Sequence, residues 1–337
     1  MADPHRTTPS GKPRARSLAI QFAGSPGRWD AVTDVPGVEV GYTTLVEGDS
    51  VRTGVTALHP RGADHPGDPV AAGFFSQNGN GEMTGVSWIE ESGTFTGPVA
   101  ITNTHAVGVA HAGIVAWTVK HHPHLADAWL LPVAAETWDG YLNDINGHHV
   151  SEASTVDALE AAASGRVEEG SVGGGTGMSC YQLKGGSGTA SRLVGYGDTT
   201  YTVGAFAQAN FGPATSSPSR ESRSGSCWPT TTRWRLARTG TTGSHFSGDL
   251  FLAFSVANQG GLSPSFATLR GDGAGSYDHL DLIPWGFLDP FYEAVVQGVE
   301  EAVANALVAN EDMVGYRGHR TPALPRDRVA AVFESTR

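Results

Sequence analysis

The chain is predicted to be an α+β protein. Three observations carry this: short apolar runs bounded by turn formers, one long stripe with helical spacing near the C-terminus, and a mixture of strands and helices without strict βαβ alternation. Compact structure is expected from about Ala31. Val35–Gly41 and Thr53–Leu58 alternate apolar residues with turn formers, as short strands do. Ala71–Phe75 is a short apolar run, followed by the dense turn signal Asn78-Gly79-Asn80-Gly81. Val99–Thr102 and Leu130–Ala135 read as further strands, with a helix over His105–Lys120 between them. Val156–Ala163 has helical composition, Ser171–Gly177 is a glycine-rich loop, and Thr202–Ala209 is a strand. Leu250–Val256 reads as a buried strand. The last helix runs from about Pro290 to Asn310. Phe291, Val295, Val299, Val303 and Leu307 form its stripe, and Glu300 and Glu301 lie off it.

Composition narrows the class. The 337 residues suffice for one large domain, and 39% apolar content with 8 Trp, 13 Phe and 8 Tyr can fill its core. The 45 glycines, without a Gly-X-Y period, imply many tight turns. A net charge of −12 argues against a nucleic-acid partner. No apolar stretch reaches the roughly 18 residues that span a bilayer, so no membrane partner is expected. Two cysteines, Cys180 and Cys227, make no disulfide framework and point to a reducing compartment, the cytoplasm. Residues 1–30 are expected to be a disordered tail, 31–330 a single catalytic domain, and 213–234, rich in Ser, Thr and Arg, a linker-like segment.

The most informative residue is Ser247, in Gly-Ser-His-Phe-Ser-Gly-Asp (Gly243–Asp249), at the mouth of the apolar run. Hydrolases that cut their own backbone need this layout. The freed α-amine, with a pKa of about 8, can take the proton of the new terminal hydroxyl. A serine in a turn before a strand is the plain alternative.

Other chemistries fit less well. No serine has the Gly-x-Ser-x-Gly elbow of a Ser-His-Asp hydrolase. His121, His122 and His124 lack the i, i+4 spacing of helical zinc ligands and read as loop histidines; no metal is expected. Gly173–Gly177 lacks the Gly-Lys-Ser/Thr ending of a phosphate loop, and Asn143, Asp144 and Asn146 lack the terminal glutamate of a calcium loop.

Several segments in order then point to one family. Asp34–Gly41, Asn78–Gly85 and Ile101–His105 match its N-terminal half, and Ala135–Asp144, Gly173–Met178 and Lys184–Arg192 its middle. Gln208–Gly212, Leu236–Gly240 and Ser247–Asn258 follow in family order. The chain resembles the DmpA family of self-processing aminopeptidases, peptidase family S58, which includes the β-peptidyl aminopeptidases. The likeness runs from about Ala31 to Leu324 with one gap.

The resemblance implies a four-layer αββα sandwich like that of N-terminal nucleophile hydrolases and ornithine acetyltransferases. It implies autocleavage between Phe246 and Ser247 into chains 1–246 and 247–337, a homotetramer, and no cofactor. Its implied activity is release of N-terminal residues from peptides, amides or esters through an acyl-enzyme. Ser247 matches the nucleophile, Asn210 the oxyanion-holding asparagine, and Glu136 the residue facing the substrate amine. Tyr141 matches a second aromatic of that segment, and Glu293 is a candidate for a further acidic partner.

Three positions depart from the pattern. Trp138 stands where the family has Tyr and offers an N–H but no hydroxyl. His245-Phe246 precede the nucleophile in place of small or amide residues, which points to slow or absent maturation. Pro213–Trp234 replaces an expected apolar strand. These departures motivate one alternative, an inactive or unprocessed relative that binds amine-bearing small molecules; the similar fold of ornithine acetyltransferases motivates another, an acyltransferase to amine acceptors.

Overall fold

A computed structural model describes residues 3–212, 248–262 and 277–334. The first sheet joins β1 (Glu39–Glu47), β2 (Val51–His59), β5 (Val99–Asn103) and β6 (Val133–Thr137) in the order β1-β2-β5-β6, antiparallel except for the parallel pair β5 and β6. Successive side chains on a strand point to opposite faces, so each strand feeds two cores. On one face Val55, Ala57, Ala100 and Ala134 pack under α2 (Val107–His121) and α3 (Glu152–Glu160), meeting Ala110, Ile114, Trp117 and Leu159. Ser151 caps α3 by accepting from the Ser154 N–H at 3.1 Å.

On the other face Val40, Leu58, Val99, Val133 and Ala135 meet a second strand layer. That layer contains β3 (Val70–Ser76) flanked by β4 (Thr94–Phe95) and β11 (Leu250–Ser255). It also contains the hairpin of β9 (Gly186–Tyr196) and β10 (Thr199–Ala209), whose Phe206 packs into the same core. The fourth layer is α4 (Asp289–Val308) with α5 (Arg326–Glu334). Ala302, Ala306 and Leu307 of α4 lie among its buried residues, and Ala302 packs with Ala190 and Ala205 of the hairpin. The result is a four-layer αββα sandwich.

The helix and strand expectations hold within a few residues for β2, β3, β5, β10, α2 and α4. Three readings need correction. Strand β9 was absent from the sequence reading, because Gly186-Ser187-Gly188 looks like a loop. The glycine instead permits close packing: a Cβ on Gly188 would collide with the Ala302 carbonyl in the backbone of α4. Strand β11 is amphipathic rather than buried. Leu250, Leu252 and Phe254 face the core, while Phe251 stays exposed beside Phe75 at 6.2 Å between ring centroids.

The expected disordered tail is corrected for residues 3–30. Arg14 is 3% exposed and bonds Glu169 at 2.9 Å, and the Ala15 N–H donates to Asn305 Oδ1 at 2.8 Å. Glu301, off the apolar stripe of α4, does not face solvent. It is fully buried, held by Arg16 and by Arg192 at 2.7 Å. Three arginines (14, 16, 192) meet three acids (Asp30, Glu169, Glu301) in this buried network, so like numbers of opposite charges compensate one another. Glu301 is pushed up from the usual carboxyl range, by burial first and by the neighbouring Asp30 second.

Candidate active site

The C-terminal ends of β5, β6 and β10 converge. In the parallel register Thr102 lies opposite Glu136 and Asn103 opposite Thr137. The half-buried Glu136 carboxylate accepts from the Glu82 N–H at 3.1 Å through Oε1 and from the Thr104 hydroxyl through Oε2. Both partners are neutral. Among the described residues this carboxylate carries no paired cation, which suits it to a ligand ammonium.

Asn210 follows directly on β10. Its Oδ1 accepts from the Ser179 N–H at 3.0 Å, and its Nδ2 donates to the Trp138 carbonyl at 3.0 Å. A carboxamide nitrogen has two N–H donors, so one remains for a ligand oxygen. Two residues earlier, Gln208 Nε2 donates to Thr137 Oγ1 at 2.6 Å and ties β10 to β6.

Trp138 is half exposed, with its indole folded over Gly140. Tyr141 is also exposed and stacks on His319, with centroids 4.4 Å apart and planes 8° from parallel. His319 Nδ1 donates to the Tyr141 carbonyl at 2.7 Å, since that carbonyl can only accept. Asp139 lies beneath this rim, fully buried. Its Oδ1 accepts from Asn143 at 3.1 Å, and Oδ2 is sealed without a well-aligned partner. Burial pushes its carboxyl up to about 6, against hydrogen bonds from Thr53, Asn143 and Asn103. Asn143 thus braces a turn, donating to Asp139 and accepting from the Arg52 N–H at 3.0 Å.

Phe246, Ser247 and the 213–234 segment lie outside the described residues. The next residue, Gly248, is placed. A Cβ there would collide with the Asn80 carbonyl, so the chain leaving residue 247 runs against the Asn80-Gly81 turn. A Cβ on Gly81 would in turn lie 3.4 Å from both Gly248 Cα and Glu136 Oε1. The expected cut therefore adjoins a residue within a few ångströms of the Glu136 carboxylate. Glu136, Trp138 and Asn210 are brought together directly, and Tyr141 sits on the same turn as Trp138. Glu293 stands on an exposed face of α4, accepting from Gln297 at 3.0 Å.

Sequence reasoning assigned no role to Thr104, Asp139, Ser179, Gln208 or His319. Thr104 and Gln208 stand inside the motifs that carry the resemblance, so a signal existed for them. Asp139 follows Trp138 within such a motif, while Ser179 and His319 stand in none. Among the described residues no group of three or more His, Cys, Asp or Glu could hold a metal ion. No helix among them is long and apolar enough to cross a membrane. The histidines at 121–124 are used locally: His121 pairs with Glu160 at 2.9 Å and stacks on Trp117.

The four-layer sandwich places a carboxylate that has no paired cation among the described residues close to the Asn210 amide, an arrangement in keeping with a hydrolase of the N-terminal nucleophile fold. Residues 30–223 and 230–321 match the pattern of peptidase family S58, and the chain belongs to that family. It is 39% identical to a β-peptidyl aminopeptidase, BapA, of Sphingosinicella microcystinivorans, over 96% of this chain and 93% of the relative. It is 36% identical to BapA of Sphingosinicella xenopeptidilytica, over 96% and 91% of the two chains. Among solved structures it resembles the L-aminopeptidase D-Ala-esterase/amidase of Ochrobactrum anthropi, described as a variant of the Ntn hydrolase fold. There the TM-score is 0.84 at 39% identity, covering 96% of this chain and 99% of that one. A β-aminopeptidase of Burkholderia sp. superposes with a TM-score of 0.81 at 38% identity, covering 96% and 98%. With such relatives the inactive-binder and acyltransferase readings are not favoured.

Proposed function

We propose that the chain is a serine aminopeptidase and amidase that matures by cleaving itself between Phe246 and Ser247. The observation that supports this best is Glu136, a half-buried carboxylate whose two described partners are neutral, next to the strand entry that follows Ser247. It receives the free amine of the substrate, whether on the α or the β carbon. Ser247 Oγ attacks the carbonyl after the first residue, and the new α-amine of Ser247 takes the hydroxyl proton. The second Nδ2–H of Asn210 and nearby backbone N–H groups hold the oxyanion. The C–N bond breaks, the proton passes to the leaving amine, and an ester to Ser247 remains. Water, deprotonated by the same α-amine, hydrolyses that ester. Trp138 and Tyr141 wall the site that receives the side chain.

We further infer a homotetramer working in the cytoplasm, where the buried Cys180 stays a free thiol. The test is hydrolysis of amino-acid p-nitroanilides. Wild-type protein is expected to release nitroaniline and Ser247→Ala to lose this completely. Undiminished turnover by Ser247→Ala contradicts the reading.

A further inference from the structure

Lys184 has a place that the catalytic reading leaves unexplained. It ends the short hairpin of β7 (Ser179–Cys180) and β8 (Leu183–Lys184) and is 0% exposed. Nζ donates to three carbonyls: Gly185 at 2.7 Å, Met178 at 2.9 Å and Gly175 at 3.4 Å. None of these partners is a carboxylate. Burial pushes the Cys180 thiol up to about 12, so it supplies no thiolate.

Burial also presses the lysine down, to about 7. The hydrogen bonds oppose that pressure. An ammonium has three donors and no acceptor, which matches the three carbonyls, and each carbonyl also accepts from a second donor: the Met178 N–H, the Gly185 N–H and Asn310 Nδ2. Sealing a lysine here is costly, and packing alone would be served as well by a methionine.

The Met178 carbonyl and the Ser179 N–H belong to one peptide group. Lys184 Nζ donates to its oxygen, and its N–H donates to Asn210 Oδ1 at 3.0 Å. A charge-assisted bond to the oxygen strengthens the N–H as a donor. That donation draws electron density from the Asn210 carboxamide and makes its Nδ2–H groups better donors in turn. The same hairpin grips the backbone around Asn210, since the Tyr181 N–H donates to the Phe211 carbonyl at 2.9 Å.

We propose that Lys184 is a positioning residue for the oxyanion site, its buried ammonium orienting and polarising Asn210 through the Met178–Ser179 peptide. The inference rests on the oxyanion role read for Asn210, and the experiment separates the two. Lys184→Met, Asn210→Ala and the double variant are assayed with an amino-acid p-nitroanilide. Each preparation is first shown by mass to be two chains and by thermal melting to be folded. Asn210→Ala is expected to lower kcat about a hundredfold. Lys184→Met is expected to lower kcat about tenfold with KM within twofold, and the double variant to be no slower than Asn210→Ala alone, as for groups acting in one chain.

A normal kcat in Lys184→Met, or losses that multiply in the double variant, overturns the role of Lys184 while leaving that of Asn210. A normal kcat in Asn210→Ala overturns the oxyanion assignment itself, and the inference with it. Should Lys184→Met fail to fold, Lys184→Gln, which keeps two neutral donors in place, carries the same test with an expected kcat loss of about threefold.

Discussion

The buried arginine network beneath α4 and the cleft at the ends of β5, β6 and β10 handle charge in opposite ways. In the network Arg14, Arg16 and Arg192 meet Asp30, Glu169 and Glu301 with little or no exposure. Every charge there has an opposite charge in contact, so nothing is left to recruit a ligand. In the cleft, the partners of Glu136 among the described residues are a backbone N–H and a hydroxyl. A paired acid is architecture, and an acid held in shape by neutral donors is an invitation to a cation. Identical chemistry, a carboxylate, thus serves opposite ends according to what surrounds it.

The network can be broken at its centre. Arg192 bonds both Asp30, at 3.4 Å, and Glu301, at 2.7 Å. Arg192→Met should destabilise the protein by about 3–5 kcal/mol, because it strands buried acids without removing them. Denaturant unfolding measures this. A loss below about 1 kcal/mol, the range of surface pairs, would mean the network is not the strap described here.

Asp139 marks the border between the two regions, a buried acid under the site rim with no paired cation among the described residues. Its folded-state pKa, about 6, lies above the ordinary value of about 3.9. Below about pH 3 the carboxyl is neutral in folded and unfolded chains alike, and the cost is absent. The cost grows as pH rises from about 4 to 6 and is full above that, at about 3 kcal/mol. Asp139→Asn should therefore stabilise the protein by about 2 kcal/mol at pH 8 and have almost no effect at about pH 3. Urea midpoints at the two pH values check this, and an equal effect at both contradicts it.

The smallest expected effect sharpens the cleft side. Glu136→Gln keeps the acceptor for Glu82 and removes the charge. KM for an amine-bearing p-nitroanilide should rise about tenfold, or roughly 1.5 kcal/mol of lost charge-assisted binding. Inhibition by a simple alkylammonium salt should weaken in parallel. If KM rises as much for an N-acetylated ester as for the free amine, Glu136 does not face the ammonium.

Much of the cleft was legible in the sequence because its residues sit inside motifs: Glu136, Trp138 and Tyr141 in one, Asn210 in another. The network was not. Arg14 and Arg16 lie in a stretch rich in arginine and proline that reads as a tail, and their partners Glu169 and Glu301 come from far along the chain. Periodicity places Glu301 on the helix and off its apolar stripe, where a glutamate is ordinarily exposed. Only tertiary pairing with the arginines accounts for its burial. Strand β9 escaped for a related reason. Its glycine and serine residues are small because α4 lies directly on them, and small residues in sequence look like a loop. Lys184 stands between two glycine clusters in the sequence, and nothing there points to the carbonyls that fold around it.

The central claim is that a new N-terminus at Ser247 does the chemistry. Intact mass spectrometry of active, purified protein tests it most directly. Two chains, ending at Phe246 and beginning at Ser247, are the predicted result. A single unbroken chain that still hydrolyses the p-nitroanilide would contradict it.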